Sequence, residues 1–187
     1  MRIVVCVKHV PDMQSERRFE GGRLVRGEDD VLNELDENAI EAAVQLKESE
    51  EDAGREAEVV ALTMGPEDAE DSLMRALQMG ADRAFIVSDE FLEGSDVITT
   101  ASVLSVAIAK IAQECGPVDL VITGMASLDA MTSMLPAALA AKAHMPLLGL
   151  ARSLNVEDGV LTIERAVDGY TETVRAALPA VVSVTDQ

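Results

Sequence analysis

The residues best placed to do chemistry lie in one stretch, Thr123-Gly124-Met125-Ala126-Ser127-Leu128-Asp129-Ala130-Met131-Thr132. Ser127, Asp129, Thr132 and Ser133 bring hydroxyls and a carboxylate just ahead of a helix whose opening turn holds Pro136. Free backbone N–H groups and a hydroxyl at a helix N-terminus make an anion site, suited to one phosphate. The same residues also describe an ordinary capped strand-to-helix loop, and residue type and spacing leave both readings open. Two further segments offer backbone that could approach a small ligand closely, Cys6-Val7-Lys8-His9-Val10-Pro11-Asp12 and Thr63-Met64-Gly65-Pro66. Other chemistries lack their patterns. There is no Gly-x-Gly-x-x-Gly after the first apolar run, no Walker A lysine motif and no Gly-x-Ser-x-Gly elbow. His9 and His144 stand apart from any Cys or carboxylate at metal spacing. Cys6 lies in an apolar run and reads as a small packed residue. The residues offer a nucleotide-sized pocket and no evident catalyst.

Those segments need elements to hold them. Short β-rich runs at Ile3–Val7, Glu58–Leu62, Ala84–Val87 and Val118–Thr123 alternate with stretches of helical spacing. Val97, Ala101, Leu104, Ile108 and Ile111 form one helical stripe. Pro66-Glu67-Asp68 reads as a helix first turn with acids on the positive dipole end, and Gly80 supplies the stop. Asn33 followed by Asp36 predicts a capped helix start, with Ala39, Ile40, Ala43 and Val44 facing inward. Runs apolar throughout imply strands covered on both faces, hence a parallel sheet with crossover helices. All three ligand-approach segments then fall at carboxyl ends of strands, where open α/β sheets bind ligands. After residue 150 the pattern changes. Leu150–Val156, Val160–Val167 and Thr171–Ala177 are separated by Glu-Asp-Gly and Asp-Gly-Tyr, which predicts an antiparallel meander, and a last apolar run, Ala180–Val184, follows Pro179.

Composition narrows the field further. The 187 residues suit one domain (1–187), and 48% hydrophobic residues can build a core. Thirty-four acids against 15 bases give a formal charge of −19, which repels a nucleic-acid backbone. Aromatics at 2% leave no base-stacking platform. Residues 28–58 hold thirteen acids and two bases, read as a solvated helix face and loop without chemistry. The longest apolar candidate for a membrane span, Val97–Ala112, is short and interrupted by Lys110, so no membrane-spanning segment is expected. The N-terminus regains charge too early for a signal peptide, and Cys6 and Cys115 read as free thiols. A soluble, acidic, cytoplasmic α/β protein is the expectation.

The stretch Ile163-Glu-Arg-Ala-Val-Asp-Gly-Tyr-Thr-Glu-Thr-Val-Arg-Ala-Ala-Leu-Pro-Ala-Val-Val182 closely resembles the signature of the electron transfer flavoprotein beta subunit. Arg165, Asp168, Gly169, Glu172, Val174 and Pro179 carry it, while Tyr170 stands where the family prefers Gly or an acid. Lys8 through Asp12, Asn33 through Asp36 with Glu41-Ala42-Ala43, and Met79-Gly80-Ala81-Asp82-Arg83 are similar too, so the resemblance spans the chain. It implies a Rossmann-like, mostly parallel sheet with crossover helices and a C-terminal antiparallel extension. It implies a heterodimer with an alpha subunit that holds most of the FAD, while the beta subunit buries AMP. The pair would carry electrons from acyl-CoA dehydrogenases and related enzymes to a membrane quinone oxidoreductase, as in fatty acid beta-oxidation. The chain itself would be a carrier and not an enzyme.

By the same resemblance, the AMP contacts fall on Cys6 of the first strand, on Asn33, Glu34, Leu35 and Asp36, and on Met64 of the second strand. The phosphate loop falls on Gly124, Met125, Ala126, Ser127, Leu128, Asp129, Ala130, Met131, Thr132, Ser133, Met134 and Leu135. Ala130 stands where many relatives carry Gly, and alanine resists positive φ, which predicts a local rearrangement there. Two alternatives stand beside this reading, a bifurcating form with a second FAD in place of AMP and a stand-alone adenine-nucleotide-binding protein. Family members usually continue some tens of residues beyond Asp186-Gln187, in an element that docks dehydrogenases and embraces the alpha subunit.

Overall fold

The computed structural model describes residues 1–185, so the chain end at Asp186-Gln187 lies outside the described residues. In chain order the first elements are β1 (Arg2–Cys6), β2 (His9–Pro11), β3 (Phe19–Glu20), β4 (Arg23–Leu24), β5 (Asp30–Leu32) and α1 (Glu34–Asp52). Next come β6 (Glu58–Met64), α2 (Glu70–Gln78), β7 (Arg83–Val87), α3 (Val97–Cys115), β8 (Leu120–Gly124) and α4 (Leu135–Ala143). The rest is β9 (Leu147–Ala151), β10 (Ser153–Glu157), β11 (Val160–Val167), β12 (Tyr170–Ala177) and β13 (Ala180–Val184).

Six strands form one parallel sheet in the order β7-β6-β1-β8-β13-β9. Its central strands are apolar on both faces because each face is covered. Ile3, Val5, Val59, Ala61 and Ile122 share a core with Ala39, Ile40, Ala43 and Leu46 of α1 and Leu73 and Ala76 of α2. The intervening Val4, Cys6, Val60, Leu62 and Val121 share a second core with Ala101, Leu104, Ile108 and Ile111 of α3 and Leu139 of α4. The period of two along each strand therefore sorts residues between two helical layers. Each fully buried Val, Leu or Ile contributes about 1.5–3 kcal/mol.

The helices start and stop where the chain dictates. Asp96 caps α3, accepting from Thr99 N at 2.7 Å, and Gly116 at φ 100° ends it. α3 runs 19 residues, longer than the expected span, and is long and apolar enough by length and composition to cross a membrane. Here its buried stripe packs on the sheet as the crossover to β8. Pro66 opens a 3₁₀ turn, Glu67–Ala69, before α2 begins, and Gly80 at φ 119° follows it.

The antiparallel extension is β10-β11-β12, with Leu161 and Ile163 closing over the α1 side of the core. Its turns at Asp158-Gly159 and Asp168-Gly169 have positive φ at both residues, as type I′ hairpins require. One expected strand is corrected. Leu150–Val156 is not continuous, since Leu147–Ala151 forms the parallel edge strand β9 and only Ser153–Glu157 belongs to the extension. Leu150 at φ 63° bends the chain there, which an apolar pattern does not reveal. β13 likewise leaves the extension and inserts between β8 and β9. The solvated reading of residues 28–58 needs correction too, because Asp36 and Glu50 are buried and Asp30–Leu32 pairs with β2.

Candidate functional site

Strand order fixes where the crevice opens. From β1 the chain moves through α1 to β6 on one side, and it returns through α3 to β8 on the other. The sheet therefore changes direction between β1 and β8, and the gap beyond their carboxyl ends is the topological switch point. Cys6 of β1 pairs in register with Thr123 of β8, so the Lys8 and Met125 segments leave side by side.

The first turn of α1 drives into this gap. Asp36 Oδ2 accepts from Lys8 N at 2.8 Å, and Asn33 N donates to Lys8 O at 2.9 Å. At Gly124 the backbones meet so closely that a Cβ would sit 2.5 Å from Asp36 Oδ1 and 2.8 Å from Leu35 O. Only glycine fits there. Burial pushes the Asp36 carboxyl up to about 7, although bonds from Asn33 and from the Lys8 and Gly124 amides favour its charged form. Burial, with Asp36 nearby, pushes the Cys6 thiol up to about 12, so it stays a packed thiol. Both cysteines are free.

Asn33 precedes α1 as expected, but its side chain does not cap the helix. Its Nδ2 donates to Ala126 O at 3.0 Å and its Oδ1 accepts from Leu128 N at 3.1 Å. A fully buried amide thus pins the loop after β8 to the start of α1. The Ala130 and Met131 amides donate to Ser127 O at 3.2 and 2.8 Å, closing a turn inside the loop. Positive φ falls on Met131 (52°) and Ser133 (51°) and not on Ala130, so alanine is accommodated without strain. The Leu128, Ala130 and Met131 amides are therefore committed internally. Thr132, Ser133 and Met134 are exposed, and α4 begins at Leu135 with Pro136 in its opening turn.

Asp129, expected at the ligand, is engaged by two cations within the protein. Its carboxylate takes Lys8 Nζ at 2.8 Å and pairs with Arg26. Burial raises its pKa, but hydrogen bonds from Lys8, Arg26 and Ser127 and the Lys8 charge outweigh that and hold it well below the usual carboxylate range. Lys8 Nζ also donates to Ser127 Oγ at 3.4 Å, and the Ser127 hydroxyl in turn bonds the Asp129 carboxylate. The structure thus joins Asn33, Leu35, Asp36, Gly124, Ala126, Ser127, Leu128 and Asp129 in one unit. Cys6 lies beneath it, Met64 ends the neighbouring strand on the far side of β1, and Glu34 is exposed. Residue reading missed the charge role of Lys8 and missed Arg26 entirely, since Arg26 reaches Asp129 across 103 residues. Thr63 and Thr123, near the carboxyl ends of β6 and β8, bury hydroxyl oxygens with no hydrogen-bond partner in the protein.

A family model for the electron transfer flavoprotein domain matches residues 22–187. The electron transfer flavoprotein subunit beta of Mycobacterium leprae is 40% identical over 188 residues, covering 99% of this chain and 69% of that protein. That of Mycobacterium tuberculosis H37Rv is 39% identical with the same coverage. The Acetobacterium woodii protein named caffeyl-CoA reductase-Etf complex subunit CarD is 33% identical over 185 residues, 98% of this chain and 68% of that protein.

Proposed function

This chain belongs to the electron transfer flavoprotein beta-subunit family, and on that premise we propose that its crevice holds AMP as a structural ligand. The observation that carries this reading is the pinned loop at the switch point. Asn33 fixes its backbone, Gly124 removes any side chain from its root, and exposed Thr132 and Ser133 precede the N-terminus of α4. Such a loop is organised before a ligand arrives, which spares binding the cost of ordering it. Ser127 and Thr132 donate to the phosphate, and amides near the start of α4 supply the rest of the anion site. Cys6, Leu35 and Met64 offer backbone to the nucleoside.

In this reading the chain supports an alpha subunit that holds most of the FAD, and FAD supplies the redox chemistry. Electrons come from acyl-CoA dehydrogenases and leave to a quinone oxidoreductase. The relative named for a caffeyl-CoA reductase complex supports a partner that acts on CoA thioesters.

Calorimetry with AMP tests the site. Each bond to a charged phosphate is worth about 1.5–3 kcal/mol, so Thr132→Ala weakens AMP binding roughly ten- to a hundred-fold. Lys110→Ala, exposed on α3, leaves it unchanged. Unaltered binding in a Ser127→Ala, Thr132→Ala double variant would return the loop to an ordinary strand-to-helix turn. The isolated chain should also purify colourless. A stoichiometric flavin absorbance band on it would replace AMP with a second FAD.

A further inference from the structure

Lys and Arg number only 15 in a chain of formal charge −19, yet two of them converge on one loop. Lys8 Nζ lies 3.0 and 2.8 Å from the two Asp129 oxygens. The Arg26 guanidinium pairs with the same carboxylate, and its Nη1 donates to His9 O at 3.5 Å. One cation would neutralise Asp129, so two leave a surplus positive charge on this trio; Asp36, the other carboxyl beside Lys8, is buried on the α1 side, where desolvation favours its neutral form. Exposure shows which way that surplus faces. The Asp129 side chain is 1% exposed, against 41% for Lys8 and 38% for Arg26. The anion is inside and the cations are outside, next to Ser127 and the loop.

We propose that Lys8 and Arg26 are the charge receptor of this crevice, a cation pair held from behind by Asp129 that takes the phosphate of a nucleoside monophosphate. Asp129 is the positioning residue, since it meets the cations and not the ligand. The inference rests on the AMP reading and adds to it the residues that discriminate by charge. A phosphate dianion approaching so acidic a protein meets a repulsive field, and a local positive face offsets it. Bonds from two cations to one phosphate are charge-assisted, and the planar guanidinium can bind two oxygens at once. The free nucleoside gains nothing from either.

Titration calorimetry of the full chain with AMP and with adenosine separates these contributions, with circular dichroism checking that each variant is folded. Arg26→Gln should weaken AMP about ten-fold or more and leave adenosine unchanged. Arg26→Lys should restore most of the loss, and Lys8→Gln should behave like Arg26→Gln. Added salt should lower the wild-type preference for AMP over adenosine more than that of Arg26→Gln. If Arg26→Gln weakens both ligands equally, or leaves AMP untouched, the cation pair is not the receptor even though the nucleotide site stands. If the wild-type chain binds neither ligand, the AMP reading itself fails and this inference falls with it.

Discussion

Asp36 ties the ends of β1 and β8 to α1, and its burial makes the protein's stability depend on pH in an uncommon direction. Its carboxyl rises from 3.8 to about 7 in the folded chain. Between those values the folded protein holds a proton that the unfolded chain has released. Stability therefore falls as pH rises through that window and levels off above about pH 7. From about pH 5 to 7 the slope is at most about 1.36 kcal/mol per pH unit and fades as the folded group becomes half-ionised near pH 7, so the change is about 2 kcal/mol. That corresponds to roughly 4–8 °C in Tm for a chain of this size. Asp129 and Glu50, whose pKa values are lowered, act in the opposite sense, and their contributions are lost only as pH falls below the usual carboxylate range. Asp36→Asn removes the titrating group while keeping one acceptor. Near pH 5 it should match wild type within about 1 kcal/mol, the scale of one hydrogen bond. Above pH 7 it should be the more stable protein. Urea unfolding of both proteins across this range, without nucleotide, reads the difference directly, and other titrating groups cancel. Parallel curves for the two proteins would refute the argument, because they would mean that the Asp36 charge is not desolvated.

Gly124→Ala places a Cβ against Asp36 Oδ1 and the Leu35 backbone, so it should cost about 1–3 kcal/mol or more and weaken AMP binding. Gly149→Ala, whose Cβ would meet only Ser183 Oγ at 3.7 Å, should stay within about 1 kcal/mol of wild type in the same thermal melts. Asn33→Ala loses two buried bonds and strands their partners, roughly 2–5 kcal/mol, and should speed hydrogen exchange at the Leu128 amide. Asn33→Ser keeps a good helix cap, so full stability in that variant would show that capping is the role of Asn33 after all.

Much of the fold was legible in local pattern, because local pattern is set by local physics. The apolar runs at Ile3–Val7 and Val118–Thr123 marked strands covered on both faces, and the α3 stripe met the sheet at Ala101, Leu104, Ile108 and Ile111, with Val97 left outside that core. Asp-Gly pairs located both hairpins because those turns require positive φ, which few other residues accept. The segment from Gly124 to Leu135 was legible as a strand-to-helix loop for the same reason, its residues being contiguous. Roles that depend on contact between distant segments were not. Asn33 reads as a cap from its neighbours, and only the approach of the β8 loop turns its amide into a pin. Arg26 lies in a segment without periodicity, and its meaning comes from a carboxylate 103 residues away. Leu150 and Ala151, the end of β9, read as the start of the following strand because a bend at one residue leaves hydrophobicity unchanged. Residue type and spacing report what a side chain can do within a turn or two of backbone. Which partner it meets is decided by strand order and burial, since the energy of a buried bond depends on what lies across the gap.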